Sequence, residues 1–134
     1  THGVEMWGRW QAAENLRFTG GLVAQDVDVR VKPGSTDLLG GNDPNYYGQL
    51  RASYDITPRH ELDVSLRRVG ELPQPHVDAY TAMDVRLGWK ISRDLELALV
   101  GQNLIGHGRT EFNSQLDEKL FDRRLFAKLT WRFQ

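Results

Sequence analysis

His2, His60, His76 and His107 are the side chains of this 134-residue sequence whose chemistry would be easiest to recognise, and their scatter argues against it. A protein metal cage draws its nitrogen ligands from closely spaced positions, and no two of these histidines stand that close. They read as solvated loop histidines. The sequence holds no cysteine, which removes thiolate metal sites and disulfide frameworks. Residues 37–45, DLLGGNDPN, gather Asp37, Asn42, Asp43 and Asn45, oxygen ligands of the kind calcium prefers. Their order is not that of an EF-hand, and the Gly and Pro among them are those of a turn. Serine, histidine and aspartate are present without a nucleophile elbow, so no catalytic activity, no cofactor and no metal is expected. Ligand contacts would come from the long polar loops, where His76, Arg109, Glu111 and Asn113 are the candidates.

The elements that would carry these residues are strands. Apolar residues recur at every second position almost throughout and at helical spacing almost nowhere. Seven segments alternate, at about 3–11, 15–31, 46–56, 60–69, 79–91, 94–103 and 125–134. In the last, Leu125, Ala127, Leu129, Trp131 and Phe133 alternate with Phe126, Lys128, Thr130 and Arg132. The second segment changes phase from Leu16, Phe18, Leu22 and Ala24 to Val27, Val29 and Val31, which predicts a bulge near Gln25 and Asp26 or an arm leaving the layer. Trp7 breaks the first segment by falling on the polar side.

Connections alternate in length. Short polar turns lie at 11–14, 57–59 and 92–93; long links lie at 32–45, 70–78 and 104–122. An up-and-down meander then has its tight turns at one end and its long loops at the other. Within the last link, SQLDEKLF places Ser114 before Glu118 and Leu116 before Leu120, which predicts a helical turn or two.

With 17 basic against 18 acidic residues the chain has no field that would draw nucleic acid, and no apolar run is long enough for a membrane-spanning helix. Strands of this length, apolar on one face, with loops of unequal length at the two ends, are instead the pattern of a transmembrane β-barrel. The polar face carries Glu5, Arg9, Arg17, Arg51, Asp55, Glu61, Asp63, Arg67, Asp84, Arg86, Lys90, Glu96, Lys128 and Arg132, which suits a wide, hydrated lumen. Of these, Arg51, Asp63, Arg67, Asp84, Arg86, Lys128 and Arg132 are expected to face that lumen. Trp10, Trp89, Trp131 and Phe133 sit on the apolar series at the short-turn ends, where rings settle at a membrane interface. A self-contained small barrel of structural or adhesive role, and a soluble β-sandwich binding module, share the alternation.

The stretches GVEMWGRWQAAENLRFTGGL (3–22), DAYTAMDVRLGWKISRDLELALVGQNLIGHGRTEF (78–112) and LFAKLTWRF (125–133) resemble the C-terminal end of a TonB-dependent outer-membrane receptor. The most specific match is LVGQNLIG at 99–106, similar to that family's asparagine-leucine pair at the top of its penultimate strand. The chain departs from the family in ending on Gln134 after the aromatic Phe133. The resemblance implies that residues 1–134 are the last third of a 22-stranded barrel in a bacterial outer membrane. The plug domain and the TonB-contacting segment would lie in a longer parent, upstream of a chain that begins mid-strand. It implies import of a scarce nutrient such as a ferric siderophore. Outer-membrane lipid, the plug, TonB and the barrel-assembly machinery are then the expected partners.

Overall fold

The computed structural model describes residues 2–26, 43–73, 76–105, 109–114, 117–121 and 123–133, with side chains at 73, 76, 109–114 and 117–121 outside that description. The strands are β1 (His2–Ala13), β2 (Leu16–Asp26), β3 (Tyr46–Thr57), β4 (His60–Val69), β5 (Leu72–Pro73), β6 (His76–Val77), β7 (Tyr80–Lys90), β8 (Leu95–Gln102), β9 (Arg109–Ser114), β10 (Asp117–Phe121) and β11 (Arg124–Trp131). Seven of them form one open antiparallel sheet in the order β1-β2-β3-β4-β7-β8-β11, a meander. Two hairpins, β5-β6 and β9-β10, stand apart from it, and β6 lies beside β9.

Local chemistry fixes the tight ends. The Thr57 hydroxyl accepts the backbone N–H groups of Arg59 (3.2 Å) and His60 (3.1 Å), closing the β3–β4 turn. Ser92 does the same for Asp94 (3.3 Å) and Leu95 (3.1 Å) between β7 and β8. In each case a short hydroxyl side chain holds a backbone donor that the ladder has released. At the β1–β2 turn the Gln11 amide donates to the carbonyl of Ala13 (2.6 Å), where the register shifts by one residue.

Register then sorts the side chains. Residues directly opposite one another share a face. Phe18, Ala52, Val64, Val85, Gly101 and Leu125 follow one another across six strands in a single row. Leu16, Tyr54, Leu62, Leu87, Leu99 and Ala127 form the next row. The other face carries the charges, with Ser53, Asp63 and Arg86 in one row and Thr19, Arg51, Ser65 and Asp84 in another.

No second layer covers either face among the described residues: the strands of the sheet touch only their sheet neighbours, and the two hairpins touch only each other. Buried apolar residues are accordingly few and small: Val77, Ala82 and Ala98. Leu99, Leu129 and Leu125 remain 56%, 63% and 81% exposed. The chain exposes 10679 Å², against roughly 7,100 Å² for a compact domain of its mass. No described helix is long and apolar enough to cross a membrane, which leaves strands out of account.

Three expectations change. The stretch expected to turn helically supplies the last residue of β9 and the whole of β10, with Asp117 opposite Ser114 and Glu118 opposite Asn113, while residues 115 and 116 lie outside the described residues. Strand pairing satisfies those backbone groups across the hairpin, and four-residue spacing of two leucines is too short a run to outweigh it. The link at 70–78 likewise contains β5 and β6. Pairing runs unbroken through Gly3–Gln25 and His2–Asp26, so no bulge interrupts β2 at Gln25 or Asp26. Val27, Val29 and Val31 lie outside the described residues.

Candidate functional site

The side chains with chemistry to offer converge on the polar face, and β4, β7 and β8 position the densest group. Arg86 of β7 stands opposite Asp63 of β4. Its Nη1 donates to Asp63 Oδ2 at 3.1 Å and reaches diagonally to Glu61 Oε2 at 3.5 Å. Its Nη2 bonds Glu96 of β8. Lys90 bonds the other oxygen of Glu61. On the far side of Asp63, Arg51 Nη2 donates to Oδ1 at 2.8 Å and the Ser53 hydroxyl donates to the same oxygen at 2.7 Å.

This lattice depends on a residue without a side chain. Gly88, between Arg86 and Lys90 on the same face, leaves the space in which the Arg86 guanidinium lies. A Cβ at Gly88 would stand 2.8 to 3.0 Å from three guanidinium atoms. The participants are partly screened, with Arg86, Asp63 and Glu96 side chains 30%, 14% and 22% exposed. Each bond then contributes about 1 kcal/mol, between the values of exposed and buried pairs.

A second device ends β8. Asn103 has φ 54°, a left-handed conformation that asparagine tolerates. Asp84 Oδ1 accepts its backbone N–H at 2.8 Å, and the Leu104 N–H donates to the Met83 carbonyl at 2.8 Å. Leu104 is thereby folded onto Gly101 and against Leu125, where a Cβ on Gly101 would meet Leu104 at 2.9 Å. The sequence singles out the Asn-Leu pair; the capping acid, nineteen positions earlier, has no local signature.

The remaining expected polar-face residues stand as follows. Arg67 is opposite Gln49 and Ala82, and Lys128 is opposite Ala98. Arg132 lies just past β11, its backbone N–H donating to the Asp94 carbonyl at 2.9 Å. The four aromatic residues are on the opposite side or beyond the strand end: Trp10 stacks on Phe18 (5.6 Å), Trp89 on His60 (5.9 Å) and Trp131 on Phe133 (4.8 Å). All four are substantially exposed.

Histidine placement departs from expectation. His2, His60 and His76 lie in β1, β4 and β6 rather than in loops, and His60 Nδ1 is 2.8 Å from Thr57 Oγ1. His107 lies outside the described residues, as do Asp37 and Asn42 of the oxygen-rich stretch. Among the described residues no three His, Asp or Glu side chains gather as a metal cage would require. His76 in β6 and Arg109, Glu111 and Asn113 in β9 fall on adjacent strands, since β6 lies beside β9.

No family model, curated protein or solved structure matches this chain.

Proposed function

We propose that this chain is part of the wall of a transmembrane β-barrel in a bacterial outer membrane. The barrel belongs to a receptor of the TonB-dependent kind that imports a scarce nutrient such as a ferric siderophore. The observation that carries the wall reading is the apolar face, continuous across seven strands and covered by no other layer among the described residues. Such a face needs an apolar medium, and hydrocarbon supplies one without a second sheet. The receptor class rests on the sequence resemblance alone. Among the described residues the sheet also has two free edges, β1 and β11, and lipid offers no partner for an unpaired backbone amide. Seven strands in strict antiparallel succession leave β1 and β11 running the same way. Antiparallel closure therefore takes an odd number of further strands. The parent barrel supplies them, and its plug would face the charged side.

The test uses the cysteine-free background. Single cysteines at Val64, Leu97 and Leu129, and at Ser65, Gln102 and Lys128, are labelled with a fluorophore after reconstitution into vesicles of brominated lipid. The first set is expected to be quenched by lipid and shielded from water-soluble quenchers, with the second set the reverse. Equal aqueous quenching of both sets would sink the membrane wall.

A further inference from the structure

The polar face is not uniform. On β4, β7 and β8 the charges answer one another, but Arg9 of β1 and Arg17 of β2 have no hydrogen-bond or ion-pair partner among the described residues. They line a concavity of about 470 Å³ together with Thr19, Gln49 and Arg51. Register arranges them. Arg9, Thr19 and Arg51 stand in one cross-strand row, and Arg17 stands in the next, on the strand between. Arg9 and Arg51 are thus about 10 Å apart at the backbone, with Arg17 about 7 Å along the strand from Thr19. Long guanidinium side chains from three strands can meet over Thr19 at those separations.

Two of the neighbouring carboxylates, Glu61 and Asp63, are already engaged by Arg51, Arg86 and Lys90. Asp63 takes hydrogen bonds from Arg51, Ser53 and Arg86. The Gln49 carbonyl oxygen accepts the Tyr47 hydroxyl at 2.8 Å, which leaves the amide NH₂ as its donor end. Asp55 borders the concavity without bonding Arg17 and stands opposite Glu61. What remains over Thr19 is the guanidinium groups of Arg9 and Arg17 and the outer nitrogen of Arg51, whose Nε and Nη2 are held by Asp63, with the Asp55 carboxylate at the border.

We propose that Arg9, Arg17 and Arg51, with Thr19 and Gln49, form a binding site for a phosphate-bearing small molecule. A tetrahedral phosphate presents three or more oxygens in different directions and so accepts forks arriving from three strands. A carboxylate has two coplanar oxygens and satisfies fewer of them. The site rests on the barrel reading in requiring the polar face to be the lumen side, where it would lie between wall and plug, and the lipid-quenching pattern tests that face assignment separately.

The experiment is titration of the refolded full chain in detergent with inorganic pyrophosphate, followed by calorimetry and ³¹P line broadening. One saturable site is expected, weakened at least about tenfold in the R9Q/R17Q double variant, because charge-assisted hydrogen bonds are lost. An R124Q/K128Q variant removes the same charge from β11 on the same face and is expected to bind within about twofold of the parent. Unfolding midpoints of both variants separate lost binding from lost fold. Three results overturn the proposal: no saturable binding, an equal loss in R124Q/K128Q, which reports a diffuse field only, or equal affinity for tricarballylate, which reports general anion attraction.

Discussion

The middle of the sheet and its β1 edge are built from the same residue types and differ in what those residues have found. In β4, β7 and β8, Asp63, Arg86, Glu61, Lys90 and Glu96 bond one another across the strands, and most side chains there are half-buried by neighbours. Every residue of β1 is exposed, and Arg9 faces β2 without an acidic partner among the described residues. A strand in the interior of a sheet is flanked on both sides, so its charges can be answered diagonally as well as directly. An edge strand has one neighbour and must leave half of its chemistry to something else.

The comparison breaks most sharply on the apolar side. Val64 lies mid-sheet between Ala52 and Val85. Val64→Arg is expected to cost about 2–4 kcal/mol if that row lies near the bilayer midplane. Reversible urea unfolding in lipid vesicles measures it, and a loss below about 0.5 kcal/mol, ordinary for an exposed surface position, would remove lipid from that face.

Next come the two arginines. Arg86→Met leaves Asp63, Glu61 and Glu96 facing one another with one cation fewer, and at their partial exposure the expected loss is about 1–3 kcal/mol. Arg9→Met removes a charge that holds nothing inside the sheet, and its stability change is expected within about 0.5 kcal/mol. The pair is measured by chemical denaturation under one set of conditions. Equal losses would mean that the ion-pair lattice contributes nothing special to the middle.

A smaller effect is expected at the corner after β8. Asp84→Ala leaves the Asn103 N–H without its acceptor and is expected to cost about 1–2 kcal/mol. Hydrogen exchange should report faster opening at Asn103 and Leu104 while β2 keeps its protection. Uniform acceleration would show that the corner is no separate device.

Alternation carried the main strands into view because a period of two leaves no freedom in which face a residue takes. Leu62, Val64 and Leu66 could be separated from Glu61, Asp63 and Ser65 by counting, and register agrees. Counting could not say that Arg86, besides Asp63 directly opposite, also answers Glu61 and Glu96, because those bonds are diagonal and depend on the empty space over Gly88. Nor could it find Asp84 capping Asn103, a contact between the middle of one strand and the end of the next. The two hairpins were missed for a different reason. β5 and β6 span two residues each, too short to establish any period, and the sequence pair Leu116 and Leu120, of which only Leu120 lies in β10, has the spacing of a helical turn.

The finest comparison is a single methyl group placed at two glycines. Gly8 on β1 has nothing within 4 Å of where a Cβ would stand, whereas at Gly88 the nearest guanidinium atom of Arg86 is 2.8 Å away. Gly8→Ala restricts the unfolded chain without meeting anything in the folded one, so it is expected to stabilise by about 0.4–1 kcal/mol. Gly88→Ala brings the same entropic gain but displaces the Arg86 head, which is flexible and can swing at the expense of its bonds to Asp63, Glu61 and Glu96. Losing one bond of about 1 kcal/mol cancels the gain, and losing two makes the variant about 1 kcal/mol less stable. Opposite signs for one chemical change, read from urea midpoints, would locate the difference between the regions in side-chain neighbours rather than in the backbone. If Gly88→Ala stabilised as much as Gly8→Ala, Arg86 would have found an equally good arrangement and the cradle would not be needed.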